Sequence, residues 1–317
     1  MHRVLITGGT GFVGSHLIRH LQSTTANIIV MASGSPSLLQ AGVEYYELDL
    51  RKEDDVRSAV REIGPSELYH LAGVSAVDLS WADSRLTFEV NVVGTYNLLE
   101  AAMGLASPPR ILNISTAQVY APSDAPLTES SPVGPDNPYA ASKAIAEMLE
   151  VSFRKTSAGG VITARSFNHT GPGQLPTFVL PAFAKQFAEI EAGIRPPKLA
   201  VGNTDVERDF SDVRDVVRAY SALLSKGKAG QVYNVCSGVG TLLSDVIKQF
   251  QALCNTVVTI ETDPTRVRSG DIPRVLGDPT KIKNETGWNT RIAMSEMIRD
   301  LLNYWREKVR LPSTMEV

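Results

Sequence analysis

The stretch VLITGGTGFVGSHLIRHL, residues 4–21, decides how the chain folds. Three apolar residues, Val4 to Ile6, with Thr7 at the boundary, read as a strand buried on both faces, and SHLIRHL carries the apolar spacing of a helix. Between them Gly8, Gly11 and Gly14 give G-x-x-G-x-x-G, and Gly9-x-Gly11-x-x-Gly14 also satisfies G-x-G-x-x-G. Glycines at this spacing permit a tight turn and let backbone N–H groups approach a pyrophosphate, which meets the positive end of the following helix. A glycine-rich turn alone is an ordinary helix start. At the first strand–helix junction of an alternating chain it reads as a dinucleotide-binding turn.

The alternation continues outward from that stretch. Residues 28–32, 43–48, 67–72, 110–115 and 160–165 are short, nearly continuous apolar runs. Helix-period segments lie between them, at 14–23, 52–63, 83–103 and 139–155. This order predicts a doubly wound parallel Rossmann sheet, an α/β fold. After Arg165 the pattern changes: NHTGPGQLP (168–176) is a Gly/Pro loop, 178–193 a helix, and 263–274 a basic, Pro-punctuated loop before a C-terminal helix at 293–309. We expect the nucleotide domain to comprise 1–167 plus about 211–237, and a smaller α/β lobe about 168–210 plus 238–317.

Composition excludes several classes of function. With 317 residues, 43% hydrophobic, the chain can bury a sizeable core. A formal charge of −3 leaves no basic footprint for nucleic acid. No apolar run reaches the ~20 residues that span a bilayer. Cys236 and Cys254 fit no metal or disulfide framework, and no metal site is expected. The strand-like start MHRVLITGG lacks the features of a signal peptide. A soluble cytoplasmic protein is the expectation.

An NAD-preferring site places Asp or Glu about 20 residues beyond the glycines, on the ribose 2′-hydroxyl. Here the second strand ends in Ser33, Gly34 and Ser35, where a 2′-phosphate meets no repulsion, although no nearby Arg or Lys attracts it. NADP(H) is therefore expected, with NAD(H) also usable. Asp49 and Leu50 follow the third strand and could frame the adenine; Asp49 could equally be a helix N-cap. In NPYAASK (137–143), Pro138 suits a first helical turn and Tyr139 and Lys143 share a face at i and i+4. A phenol titrates near 10 and needs help to exchange a proton at neutral pH. A neighbouring ammonium supplies it, and Thr116 at a strand end could orient the reacting oxygen, which is acid–base work coupled to hydride transfer.

GGTGFVG, NVVGTYNLLEA, STAQVY, Tyr139-x-x-x-Lys143 and the downstream Asn together resemble the extended short-chain dehydrogenase/reductase family, over essentially the whole chain. The resemblance implies a catalytic set of Thr116, Tyr139 and Lys143. The cofactor contacts expected with it are Gly8, Gly11, Phe12, Val13, Gly14, Ser33, Asp49, Leu50, Leu71 and Ala72, with Tyr139 and Lys143. Asn91 matches the family's structural asparagine; a direct catalytic role and a plain helix-internal hydrogen bond are the two readings of it. Two helices, near 83–103 and 139–155, would form a homodimer interface.

ARSFNHTGPGQ, VGNTDVERDFSDVRDVVRAY, VYNVCSGVGT and RVRSGDIPRVLGDPTKI resemble the GDP-mannose branch of the nucleotide-sugar enzymes, closest to its reductases of GDP-6-deoxy-4-ketohexoses. That likeness implies that Asn168 and Arg208 hold a diphosphate and that Arg268 and Asp271 contact substrate phosphate or ribose. On residues alone Arg208 would be a surface ion-pair partner, and His169 a loop-stabilising residue. Dehydratases of the branch carry a carboxylate just after the catalytic Thr, whereas Ala117 and Gln118 stand here, and a carboxamide is neither acid nor base. Reduction of the C4 ketone of a GDP-4-keto-6-deoxy sugar, giving GDP-D-rhamnose, is expected. The alternatives are a dehydratase using Glu129 from a flexible loop, a 4-epimerase with the same set, and an NAD(P)-sensing regulator.

Overall fold

A computed structural model describes residues 2–23, 27–34, 42–153, 160–267 and 271–310. The apolar runs form seven parallel strands in one sheet: β1 (Arg3–Thr7), β2 (Asn27–Ala32), β3 (Glu44–Glu47), β4 (Glu67–His70), β5 (Arg110–Thr116), β6 (Gly160–Ser166) and β10 (Val232–Val235). Their order across the sheet is β3-β2-β1-β4-β5-β6-β10. The chain steps outward from β1 to β3, then returns to the other side of β1 as β4. The β1/β4 boundary is thus the topological switch point, where doubly wound sheets bind ligands beyond their carboxyl ends.

Both sheet faces are covered. On one, α1 (Phe12–Gln22) and α8 (Val213–Lys226) pack Leu17, Leu21, Val216, Val217 and Tyr220 over Val4, Ile6, Val30 and Tyr69. On the other, α2 (Glu53–Ile63) and α5 (Gly94–Met103) pack Val56, Val60, Leu98 and Leu99 over Leu5, Ile29 and Leu68. Helix α2 shows how local chemistry sets the elements. Glu53, Asp54 and Asp55 sit at its positive end, Val56, Ala59, Val60 and Ile63 bury one stripe, and Gly64 ends it at φ +55°. The helices α3 (Val77–Ala82), α4 (Ser84–Phe88) and α6 (Pro138–Phe153) complete that side.

The expected single helix over 83–103 contains a π turn, Glu89–Val93, between α4 and α5. Hydrophobic periodicity does not distinguish this wider turn from an α-helical one.

The second core is built on α7 (Val179–Glu191), α9 (Leu243–Leu253) and α11 (Met294–Arg310), with Phe187 and Phe250 stacked at 5.4 Å. Beside it lies a small sheet of β11 (Gly240–Leu242), β9 (Glu207–Asp212) and β13 (Arg274–Val275), with β7 (Asn168–Thr170) also paired to β9. Strands β8 (Lys198–Val201) and β12 (Thr259–Thr262) pair separately, and α10 (Thr280–Thr286) packs on α8 and β10. Among the described residues, no helix is long and apolar enough to cross a membrane.

Candidate active site

The switch point is shaped by two turns that touch. Gly8 has φ +70°, and a Cβ there would lie 2.7 Å from the Ala72 backbone nitrogen; one at Gly14 would lie 2.5 Å from the Gly8 carbonyl. Only hydrogen at these positions lets the 8–14 turn close against the turn after β4. Gly11 precedes α1 in extended conformation, no side chain caps that helix, and its first turn holds no carboxylate. An uncapped helix start with glycines around it is a cradle for an anion. The residues present therefore fit a dinucleotide's pyrophosphate.

Around this cradle lie the other residues expected to meet the cofactor. Leu71 and Ala72 form the opposing turn; Leu71 N–H donates to the Thr7 carbonyl and Ala72 N–H to Thr7 Oγ1. Phe12 stacks on His169 at 6.3 Å and meets His16 edge-on at 5.4 Å, and Val13 packs on the sheet core. Ser33 is exposed at the end of β2, and Leu50 is buried with its carbonyl accepting from Asn97. Asp49 does not cap α2, which starts after Lys52. Its carboxylate instead accepts from Arg51, whose side chain also pairs with Glu89, and the guanidinium holds Asp49 below the usual carboxylate range. Ser35 lies outside the described residues.

Thr116, Tyr139 and Lys143 come together at the carboxyl end of β5. Thr116 is the last residue of that strand, and its Oγ1 accepts from Gln118 N–H at 3.2 Å. Pro138 opens α6, Asn137 Oδ1 accepts from Ala140 N–H, and the Tyr139 phenol reaches Thr116. One turn on, Lys143 Nζ donates to the Ile114 carbonyl at 2.9 Å. Burial pushes the Tyr139 phenol above its usual value, partly offset by the bond to Thr116. Burial pushes the Lys143 ammonium down to about 8, and the Glu147 carboxylate opposes that fall.

A network that residue spacing does not reveal holds this group to the cofactor turns. Thr95 Oγ1 donates to the Asn91 carbonyl at 2.6 Å, so it must accept from His70 Nε2 at 2.8 Å. His70 Nδ1 then accepts from Thr7 Oγ1 at 2.7 Å. Burial first, and the Lys143 charge second, lower the His70 pKa to about 3, so the ring is neutral in this chain of bonds. The Asn91 side chain is not bonded within its own helix. Its Oδ1 accepts from Val74 N–H at 2.8 Å, and Nδ2 donates to the Val74 carbonyl and to Ser142 Oγ. The written hints of this network are HLA, residues 70–72, after β4, and Asn91.

Residues expected to meet a nucleotide sugar lie on the small sheet, just beyond the same edge. Ser166 of β6 is paired with Thr116, and Asn168 follows two residues later, exposed, paired to Phe210 of β9. Arg208, on β9, is paired with Val275 of β13. Its guanidinium is half-buried and donates to the Glu207 and Pro273 carbonyls; desolvation lowers its pKa and Asp271 opposes this. Next to it, Asp209 accepts from Ser237 N–H and Oγ and from Gly238 N–H, tying β9 to the loop after β10. Arg268 lies outside the described residues. His169 Nδ1 meets the Phe167 carbonyl at 2.9 Å, so its ring both steadies the loop and stacks on Phe12.

The carboxylate considered for a dehydration is not free. Glu129 Oε1 accepts from the Asn234 N–H at 2.9 Å, while Asn234 Nδ2 bonds the Leu127 carbonyl, so this segment is pinned to the edge of β10. At the position after Thr116, Ala117 is buried and Gln118 is exposed, with its amide oxygen accepting from Asn137.

A sequence profile of the GDP-mannose 4,6-dehydratase family matches residues 5–301. The chain is 36% identical over 311 residues to the GDP-6-deoxy-D-mannose reductase of Pseudomonas aeruginosa, covering 97% of this chain and 98% of that protein. The solved structure of RMD from Pseudomonas aeruginosa complexed with NADPH superposes with a TM-score of 0.85 at 34% identity, covering 97% of this chain and 100% of that one. UDP-glucose 4-epimerase of Thermus thermophilus in complex with NAD superposes with a TM-score of 0.84 at 29% identity, covering 96% and 99%.

Proposed function

Because the chain belongs to the GDP-mannose 4,6-dehydratase family within the extended short-chain dehydrogenase/reductases, we propose that this NAD(P)-dependent oxidoreductase reduces the C4 ketone of GDP-4-keto-6-deoxy-D-mannose, giving GDP-D-rhamnose. The observation that carries the reading is the Thr116–Tyr139–Lys143 group at the switch point with no free carboxylate following Thr116. Elimination across C5 and C6 needs such a group; ketone reduction does not.

Each residue's part follows from its setting. The 8–14 turn and the start of α1 hold the pyrophosphate, and Asp49, Leu50 and Ser33 border the adenosine. A bound reduced nicotinamide supplies the hydride for C4. Tyr139, a protonated phenol at neutral pH whose burial pushes its pKa further up, gives its proton to the C4 oxygen as charge builds there. Thr116 hydrogen-bonds the same oxygen. Lys143 holds the nicotinamide ribose, and its ammonium eases the phenol's loss of a proton. Asn168, Arg208 and Asp271, with Arg268, engage the diphosphate and ribose of the substrate, a task that suits Arg because its guanidinium meets phosphate with paired bonds.

NADP(H) is the preferred cofactor in this reading, supported by exposed Ser33 in place of a carboxylate, and NAD(H) is also accepted. A homodimer is supported by the apolar side chains left outside on α3 and α6, with Trp81 64% and Met148 71% exposed. A cytoplasmic location is supported by two free thiols, Cys236 and Cys254. Supplying GDP-4-keto-6-deoxy-D-mannose with NADPH or NADH tests the proposal. Cofactor should be consumed, and Tyr139→Phe should lose about 10²–10⁴-fold in turnover while still binding NADPH. Consumption of GDP-mannose with tightly held NAD and no added cofactor would instead mark a dehydratase, and interconversion of C4 epimers an epimerase.

A further inference from the structure

Five polar side chains cross the core between the phosphate-binding turn and the catalytic helix, and the steps above use none of them. Thr7 and His70 are register partners at the ends of β1 and β4, one residue before the two turns that touch. Both are fully buried, as are Asn91 and Ser142, and Thr95 is only 2% exposed. Burying polar groups costs free energy that their hydrogen bonds offset, so an apolar row would serve packing as well. Instead each group is bonded to the next. Ala72 N–H donates to Thr7 Oγ1 at 3.3 Å, Thr7 Oγ1 to His70 Nδ1 at 2.7 Å, and His70 Nε2 to Thr95 Oγ1 at 2.8 Å. Thr95 Oγ1 donates to the Asn91 carbonyl, Asn91 Nδ2 to Ser142 Oγ at 2.9 Å, and Ser142 Oγ to the Tyr139 carbonyl at 2.7 Å. Asn91 lies in the π turn Glu89–Val93, a wider turn of the kind found at functional sites.

We infer that His70 is a positioning residue for hydride transfer: its two ring nitrogens set the phosphate-binding turn, through Thr7, in register with the helix of Tyr139 and Lys143, through Thr95. This rests on the parts proposed above for that turn and that helix. A neutral imidazole suits the place because one edge accepts a hydrogen bond and the other donates one. Each threonine has a single hydroxyl proton, and that fixes which edge does which. Thr95 gives its proton to Asn91, so Nε2 must carry the ring proton and Nδ1 must be bare to accept from Thr7. A charged ring would point a second N–H at Thr7 Oγ1, which already accepts from Ala72, and burial opposes that charge. A buried network whose members are all satisfied is rigid. His70 is enclosed by protein on every side, so what it controls is the alignment of groups that meet the cofactor.

The two ends can be cut separately. The Asn amide reaches the place of Nδ1 and the Gln amide the place of Nε2, so His70→Asn keeps an acceptor for Thr7 and His70→Gln keeps a donor for Thr95. NADPH dissociation constants are measured by cofactor fluorescence, and kcat and KM by ketosugar reduction at saturating NADPH. His70→Asn should bind NADPH as the wild type does and lose about tenfold in kcat. His70→Gln should keep its kcat and bind NADPH about tenfold more weakly. The ketosugar KM should stay constant in both, and His70→Leu should lose affinity and kcat together. A histidine that serves stability alone would lower the melting temperature of the variants without separating affinity from kcat. Equal NADPH affinities in the Asn and Gln variants, or wild-type kinetics in His70→Leu, overturn the inference. If His70→Leu does not fold, the comparison of Asn with Gln decides by itself. Should the wild type bind NADPH but reduce no ketosugar, the proposed substrate falls, while the affinities of the two amide variants still decide the role of His70.

Discussion

Lys143→Met should make the cofactor-free protein more stable at neutral pH and should abolish a rise in stability on the alkaline side. The buried ammonium titrates near 8 in the folded chain and near 10.5 when unfolded. Between those values the unfolded chain binds more protons than the folded one, so stability must increase with pH across that window. The separation is about 2.5 pH units, which at 1.36 kcal/mol each amounts to about 3 kcal/mol. Below 8 both states carry the charge and the whole penalty is present; above 10.5 neither does. Methionine keeps most of the side chain's volume and has no charge to desolvate. The assay is urea unfolding at pH 7, 8, 9 and 10, with the difference between wild type and variant taken at each pH. Buried phenols such as Tyr139 and Tyr220 titrate late in both proteins and drop out of that difference. The variant's advantage should shrink by 2–3 kcal/mol between pH 7 and 10, as about 3 kcal/mol overall requires. Parallel stability curves would refute the reasoning, since they would mean that Lys143 is solvated in the folded protein.

Two further outcomes are expected. Gly73→Ala would place a Cβ 2.8 Å from Asn91 Oδ1 and 3.4 Å from Lys143 Nζ; it should cost about 1–3 kcal/mol in thermal or urea unfolding and weaken NADPH binding measured by fluorescence. Met148→Glu puts a charge on the exposed apolar face of α6, so the dimer proposed above should be lost: sedimentation should show the wild type as a dimer and the variant as a monomer, with fold retained by circular dichroism.

Much of the nucleotide-binding half is legible in the sequence because its strands are buried on both faces and so read as continuous apolar runs. The 8–14 turn is legible as a tight turn because Gly14 is demanded by contact with the Gly8 carbonyl six residues back, whereas the contact of Gly8 with Ala72 is set by the topology. The small sheet is not legible. Strand β9 is ERDFSD, whose polar Asp209 is buried by bonds to Ser237 and Gly238, far from the strand in sequence, while Asp212 is held by Arg214 just beyond it. Glu129 looks from its neighbours like a loop carboxylate free to move, yet a single backbone N–H 105 residues away pins it. Arg165 and Glu147 likewise read as a strand end and a helix surface; only the packing of α6 on β5 and β6 makes them a buried pair. Contacts set by topology, rather than by period, are what sequence reasoning misses.

The central claim, that the site reduces a ketone at C4 and does nothing at C5, is tested most directly with NADPH carrying deuterium at the transferable position. Incubated with GDP-4-keto-6-deoxy-D-mannose, the protein should yield GDP-D-rhamnose with one deuterium per turnover at C4 of the sugar, and none exchanged at C5 in deuterated water. A product without label at C4, or exchange at C5 at the rate of turnover, would contradict the account.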